Sequence, residues 1–259
     1  MQKRGEEREF GKRGQITLFV IIAIIIVAIV ILIYMFYPKI ATMIGITPKS
    51  PQVSIQDCME DELGKIVEQL SLQGGSLNSS NYYAYEGNKL EYLCYTEEFY
   101  KQCVMQQPML KQHIEGEISG AIREKSKECF GKMKSDYERA GYDVNLQQKN
   151  MTVELLPKRI IINFNYPLTL TKGASKRYDH IDVILKNNLY EMVIIATSIL
   201  NWEARYGDAE TTAYMNYYPE LKVEKKKQTD GTTVYILTER DTKNKFQFAS
   251  RSMAWPAGL

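Results

Sequence analysis

Apolar residues are concentrated in one uninterrupted run near the start of this chain. The 22 residues from Ile16 to Tyr37 carry no charged side chain, and Ile, Val and Leu would occupy every face of a helix built from them. Such a helix is ~33 Å long, about the thickness of the hydrocarbon core of a bilayer. A buried helix of a soluble protein seldom stays apolar on all sides over this length. The pattern therefore predicts a transmembrane helix over residues 15–37.

The charges on either side of this run predict its orientation. Residues 1–14 contain five basic side chains, whereas residues 38–51 contain two. Because basic residues accumulate on the cytoplasmic side of a membrane helix, we expect residues 1–14 to form a cytoplasmic tail. The chain is then expected to be a single-pass protein of the cell membrane, in contact with the lipid bilayer, with the bulk of its residues extracellular.

Helical periodicity recurs three times after the apolar run. Residues 38–53 contain three prolines, which interrupt helices, and are interpreted as a stalk. In each later segment apolar residues recur at spacings of three and four, which is typical of a helix with one buried face. The expected helices run from a Ser54 cap to Gln73-Gly74-Gly75, from Pro108 to Tyr137, and from an Asn187 or Asn188 cap to Trp202.

Alternating apolar and polar positions predict strands between and after these helices. Asp230-Gly231 between two alternating stretches is typical of a β-hairpin turn. Residues 171–180, which hold several basic side chains, are expected to form a polar hairpin loop between two paired strands. The expected strands are Tyr82–Tyr85, Leu90–Tyr95, Tyr142–Leu146, Met151–Leu156, Arg159–Asn165, Leu168–Leu170, Ile181–Leu185, Leu221–Lys227, Thr233–Thr238 and Lys245–Ser250.

These elements define the predicted fold class, which is α+β. We expect one N-terminal transmembrane helix, followed by an extracytoplasmic domain over residues 54–259. That domain should contain about three helices packed on antiparallel sheets, since sheet and helix can each bury one apolar face against the other.

The cysteines are interpreted as two disulfides. Their number is even, and they lie in a segment predicted to face an oxidising exterior. Cys58 and Cys129 each lie on or beside the apolar face of a helix, and these two helices are expected to pack together. Cys94 and Cys103 are separated by only eight residues. Of the three possible pairings, we predict Cys58 with Cys129 and Cys94 with Cys103.

Composition and motifs give little evidence for chemistry. The charged fraction is 25% and the net charge is +2, which argues against both disorder and an electrostatic grip on nucleic acid. No Cys-x-x-Cys occurs, and His113 and His180 lie far apart, so no metal site is expected. His113 is interpreted as a partly buried side chain with a hydrogen-bond partner. No catalytic motif is present, and we predict a non-enzymatic protein without a cofactor.

Two triplets fit the acceptor pattern for N-linked glycosylation. Asn78-Ser79-Ser80 lies in a polar, loop-like stretch, and Asn150-Met151-Thr152 lies just before a predicted strand. Both would face the exterior in the predicted orientation. Asn78 and Asn150 are therefore candidate modification sites.

The residues at the start of the apolar run resemble a known leader. Lys12-Arg13-Gly14-Gln15-Ile16-Thr17 resembles the class III leader of archaeal pilins and pilin-like surface proteins. The resemblance implies cleavage between Gly14 and Gln15 and packing of the apolar helix into a filament core. Phe19 stands where that family has an acidic residue. The string GQITLFVIIAIIIVAIV, with Cys58 and Leu72-Gln73-Gly74-Gly75, is similar to a group of uncharacterised single-span archaeal surface proteins.

Three functional hypotheses follow from these observations. The first is a membrane-anchored, non-enzymatic surface protein in adhesion or cell-envelope architecture, with self-association or other envelope proteins as its partners. The second is a processed, type IV pilin-like filament subunit. The third is an ectoenzyme, which would need a pocket that gathers titratable or nucleophilic side chains.

Overall fold

The structure, a computed structural model, describes residues 20–33 and 48–254. Residues 20–33 form helix α1, whose Val, Ile and Leu side chains are exposed. No helix within the described residues has both the length and the apolar character needed to cross a membrane. The predicted fold, which required a transmembrane helix, is therefore contradicted at that helix.

The remaining residues of the predicted tail, span and stalk, up to residue 47, lie outside the described residues. The predicted leader site at Gly14 and Gln15 is among them.

The described fold is α+β and contains more helices than the sequence pattern predicted. Where one helix was expected after Pro108, the structure has two, which meet at Ile122 with its φ of -83° and ψ of -5°. A short Tyr-rich helix near the C-terminal third was not predicted. The helices after α1 are α2 (Pro51–Leu72), α3 (Leu110–Ala121), α4 (Arg123–Arg139), α5 (Leu189–Tyr206) and α6 (Thr212–Tyr217).

The observed cap of α2, Ser50, lies four residues before the predicted cap at Ser54. The Ser50 side chain accepts a hydrogen bond from the Val53 amide, and Pro51 occupies the first turn, where its missing N–H costs nothing. Ser54 therefore lies inside the helix. Because α2 begins at Pro51, it includes residues 51–53 of the expected stalk.

Twelve strands in the described residues form three sheets. They are β1 (Tyr82–Tyr85), β2 (Asn88–Tyr95), β3 (Val104–Met105), β4 (Asp143–Leu146), β5 (Met151–Leu156), β6 (Arg159–Phe164), β7 (Leu168–Lys172), β8 (Ala174–Tyr178), β9 (Ile181–Lys186), β10 (Leu221–Lys227), β11 (Thr232–Glu239) and β12 (Lys245–Arg251). Sheet 1 has the order β1-β2-β12-β11-β10, with β3 on β2; sheet 2 is β4-β7-β8, and sheet 3 is β5-β6-β9.

Strand pairing confirms some predictions and corrects others. The hairpin at Asp230-Gly231 is confirmed, with Gly231 at a φ of +85°. The two strands expected to pair around residues 171–180 instead belong to different sheets, because residues 174–178 form β8 and pair with β7. The sheets are not wholly antiparallel either, since β2 and β12 run parallel.

Sheet 1 curls so that its two end strands approach each other. The Tyr83 hydroxyl of β1 lies 3.3 Å from Gln228 Oε1 beyond β10, and the Lys226 ammonium of β10 lies 3.0 Å from the Tyr85 hydroxyl. The enclosed side forms a small second core of Leu90, Tyr92, Val234, Ile236 and Ala249. The opposite side faces the main core.

Helix α2 is the central element of the main core. It packs against α3 and α4 and against strands of sheets 1 and 3. Its apolar positions recur at helical spacing and are at most 9% exposed: Ile55, Met59, Leu63, Ile66, Val67 and Leu70. Fully burying one such side chain stabilises a fold by about 1.5–3 kcal/mol, so α2 contributes much of the burial in this core.

Both predicted cysteine pairs are at bonding distance, so the prediction of disulfides is confirmed. Cys58 of α2 bonds to Cys129 of α4 with their Cα atoms 5.8 Å apart. Cys94 of β2 bonds to Cys103 with their Cα atoms 5.3 Å apart. The first bond joins two helices, and the second closes a loop beside sheet 1.

Two glutamines of α2 pair with the free edge of sheet 3. The Gln56 side-chain amide donates to the Ile184 carbonyl and accepts from the Ile184 N–H, each at 2.9 Å. Gln52 pairs in the same way with Asp182. Residues four apart on a helix rise ~6 Å, and residues two apart on a strand span ~6.7 Å, so the two repeats match. Each glutamine thus replaces one residue of a neighbouring strand.

The opposite edge of sheet 3 is also capped by a helix side chain. The Glu115 carboxylate of α3 accepts a hydrogen bond of 2.8 Å from the Leu155 N–H of β5. Unpaired strand edges are sites for unwanted association. Helices α2 and α3 therefore each form hydrogen bonds with one edge of sheet 3.

We predict that Gln56→Ala destabilises the domain by about 1–2 kcal/mol, because two hydrogen bonds to Ile184 are lost at a partly hydrated edge. Urea denaturation of the oxidised protein measures this loss, and amide exchange at Ile184 should accelerate. Gln112→Ala on the exposed face of α3 is the matched control. Equal stabilities for the two variants would contradict the pairing.

Candidate functional site

The turn after α2 brings distant polar residues together. Gly74 and Gly75 have φ values of +82° and +100°, which residues other than glycine rarely adopt. The Gly75 N–H donates to the Leu70 carbonyl at 2.8 Å, closing the helix. A Cβ on Gly75 would lie 2.8 Å from the Ile114 side chain. These glycines therefore let the chain pass close to α3 and place Ser76 between α3 and β2.

Ser76, Glu91, His113 and Glu117 form what we term the Ser76 cluster. The Ser76 hydroxyl donates to Glu91 Oε2 of β2, and its oxygen lies 2.7 Å from His113 Nε2 of α3. The next backbone amide, at Leu77, donates to the Glu117 carboxylate at 2.9 Å. His113 is thus partly buried with a hydrogen-bond partner, as the sequence predicted.

Burial dominates the electrostatics of Glu91. Loss of hydration raises the pKa of its carboxyl above the ordinary 4.5, and the charge of Glu117 acts in the same direction. The Ser76 hydrogen bond and the charge of His113 act the other way but do not cancel the effect of burial. The folded protein therefore holds the Glu91 proton more tightly than the unfolded chain does.

The order of groups in the Ser76 cluster differs from that of a nucleophilic triad. In a triad the histidine lies between the nucleophile and the acid, and accepts the hydroxyl proton. Here Ser76 lies between Glu91 and His113, and its hydroxyl hydrogen is directed at the carboxylate. Ser76 is also only 5% exposed. The geometry is suited to fastening the turn to α3 and β2.

A second buried cluster lies beneath sheet 1. Glu203 of α5 is 1% exposed and accepts hydrogen bonds from the Tyr235 hydroxyl and from Ser250 Oγ, the latter at 3.1 Å. Burial raises the pKa of the Glu203 carboxyl despite these two bonds. One feature of the sequence indicates this cluster: Glu203 is an acidic residue on the apolar face of α5.

An open cleft of about 680 Å³ lies between the start of α2 and α4. Its wall includes both cysteines of the Cys58–Cys129 disulfide. The Tyr137 hydroxyl donates to the Lys49 carbonyl at 2.8 Å, and burial raises the pKa of Tyr137 to about 12. We term this feature the α2–α4 cleft. Six of the seven charged side chains around it form the ion pairs Lys49–Asp57, Lys125–Glu128 and Asp136–Arg139, and the seventh is Lys132.

The structure separates the two candidate glycosylation sites. Asn78 is exposed and has no hydrogen bond among the described residues. Asn150 is exposed too, but its side-chain oxygen accepts from Asn165 Nδ2 at 3.0 Å, and its carbonyl accepts from the Asn165 N–H at 3.1 Å. Only Asn78 is thus free of a structural role.

The sequence predicts no metal site, and the side chains that could form one are those of His, Cys, Asp and Glu. Within residues 20–33 and 48–254, no three of them are grouped so that they could hold a metal ion. His113 and His180 lie apart: the former is in the Ser76 cluster, and the latter lies 3.9 Å from Asp182.

No known protein family, curated protein or solved structure matches this chain.

We predict that Glu91→Gln removes a pH dependence of stability. The pKa of Glu91 is higher in the folded protein than the ordinary 4.5 of the unfolded chain. The protonated carboxyl therefore stabilises the folded state in full below pH 4.5, and this stabilisation is lost as the pH rises through the folded pKa. Gln cannot ionise. The free energy of unfolding of the natural protein should therefore fall relative to that of the variant between acidic and neutral pH.

The matched control is Glu68→Gln, on the exposed face of α2. Urea denaturation across this pH range measures both variants. A difference between natural protein and Glu91→Gln that stays constant with pH would contradict the assignment.

We also predict that Asn78 carries a glycan in the protein isolated from its source cells, whereas Asn150 does not. Mass spectrometry of glycopeptides tests this directly, and Asn78→Gln should remove the mass increment while Asn150→Gln leaves it. Finding the glycan on Asn150 alone would refute the distinction drawn from Asn165.

Proposed function

We propose that residues 48–254 form the extracytoplasmic domain of a non-enzymatic surface protein that acts in adhesion or in cell-envelope architecture. The observation that carries this proposal is the oxidation state of the cysteines. All four are paired, and the described residues contain no free cysteine. Structural disulfides persist in oxidising compartments outside the cytoplasm.

The distribution of polar groups supports a binding role over catalysis. The serine, histidine and acid that do converge are held in the Ser76 cluster, where Ser76 is 5% and Glu91 is 9% exposed. Enzymes present such groups to substrate in a pocket. The α2–α4 cleft is open, but its wall is formed by ion pairs and a disulfide.

Exposed aromatic side chains supply contact surface for a partner. Phe99 and Tyr100, in the loop that Cys94–Cys103 closes, are 71% and 81% exposed. Tyr217 at the end of α6 is 82% exposed. Aromatic residues are enriched where proteins bind one another. We propose other envelope proteins, or further copies of this chain, as the partners.

The location is tested on intact source cells with a membrane-impermeant amine reagent. Lys176, exposed on β8, should be labelled without lysis, while a cytoplasmic marker protein is not. Labelling of Lys176 only after lysis would place the domain on the inner side and refute the proposal.

The class of function is tested by comparing cells that carry variants of the full chain. Phe99→Ser with Tyr100→Ser should weaken surface attachment or alter envelope integrity. Ser76→Ala should leave that phenotype intact at matched protein levels, since the hydroxyl only fastens a turn. Loss of the phenotype with Ser76→Ala alone, in a protein of undiminished abundance, would favour an enzyme.

One observation favours the second candidate function, a filament subunit. The side chains of α1 are apolar on all sides and 44–63% exposed for its Val, Ile and Leu residues, so a surface of another molecule is needed to cover them. Other copies of α1 would do so in a filament core. Mass spectrometry of sheared surface filaments should then find a chain that begins at Gln15. Absence of this chain from purified filaments would refute the candidate.

A further inference from the structure

The two disulfides differ in their access to solvent. Cys58 is half-buried and lies in the wall of the α2–α4 cleft, whereas its partner Cys129 is 1% exposed. Cys94 and Cys103 are 0% and 3% exposed. Cys58 is therefore the one cysteine of the four that is more than slightly exposed.

The cleft beside Cys58 has room and charge for an attacking thiolate. Its volume of about 680 Å³ exceeds the size of a small thiol or of a cysteine side chain on a peptide loop. Three of its four cations are matched by acids in ion pairs. Lys132 lines the same cleft, is exposed, and has no ion pair among the described residues. The cleft wall thus carries one cation in excess.

We propose that Cys58–Cys129 is a thiol–disulfide exchange site that accepts electrons from an external dithiol. A thiolate of the dithiol attacks Cys58 Sγ, the S–S bond breaks, and Cys129 leaves as a thiolate that takes up a proton. The second thiolate of the partner then attacks the partner's own sulfur in the mixed disulfide, and Cys58 leaves as a thiolate that takes up a proton. Two electrons and two protons pass to the protein, which gains two thiols, while the dithiol becomes a disulfide.

Reduction at this site would release one tie between α2 and α4 and leave the others. The Tyr137–Lys49 hydrogen bond and the packing of buried Met59, Phe130 and Met133 do not depend on the sulfur bond. Cys94–Cys103, whose residues are at most 3% exposed, would stay oxidised. The site therefore adjusts how firmly the start of α2 is held, without dismantling the domain.

The first test is timed reduction of the native full chain with dithiothreitol, followed by alkylation with iodoacetamide and peptide mapping. Cys58 and Cys129 should be alkylated at least tenfold faster than Cys94 and Cys103. At low thiol concentration, acid quenching should trap the adduct on Cys58. Equal rates for the two disulfides, or an adduct mainly on Cys129, would overturn the proposal.

The second test uses the positive charge of Lys132, and it replaces no cysteine. Natural protein should be reduced faster by anionic 2-mercaptoethanesulfonate than by neutral 2-mercaptoethanol at equal thiolate concentration. Lys132→Glu should lower this preference roughly threefold, since charge reversal repels the additional negative charge of the sulfonate. Lys65→Glu, an exposed site on α2 outside the cleft, is the control. The same preference in both variants would show that the cleft does not guide the thiol.

Discussion

The position of helix α2 is the constraint on which the rest of the domain depends. Its apolar face forms the centre of the main core, its Cys58 is bonded to α4, and Gln52 and Gln56 pair with the edge of β9. Apolar burial is not directional, so it does not by itself fix how a helix is rotated on a sheet. The disulfide and the two glutamine pairs are directional. Together they set the rotation and translation of α2.

The two ends of α2 have opposite properties. At its C-terminal end, Gly74 and Gly75 bring Ser76 into a set of hydrogen bonds with β2 and α3. At its N-terminal half, the helix borders an open cleft whose wall contains a disulfide. Chemistry that needs a solvent-exposed reactive group is therefore favoured at Cys58 and not at Ser76. This contrast supports both the non-enzymatic proposal and the exchange site.

Sequence periodicity could predict the elements whose formation depends on local patterns, but few of the contacts between residues that are distant in sequence. The Asp230-Gly231 hairpin was readable because a two-residue turn leaves a local signature. The break at Ile122 was not, because the apolar spacing continues across it. Gln56 and Ile184 are 128 residues apart, and nothing in either neighbourhood indicates a helix side chain pairing with a strand. The Ser76 cluster likewise combines residues from three elements without a shared motif.

The most direct test of the role of α2 is the stability lost when each disulfide is removed. Cys58 and Cys129 are 71 positions apart, and Cys94 and Cys103 are 9 apart. Chain entropy then assigns about 4 kcal/mol to the first bond and about 2.5 kcal/mol to the second. Urea denaturation of Cys58→Ala/Cys129→Ala should show the larger loss. A larger loss for Cys94→Ala/Cys103→Ala would contradict the central role of α2.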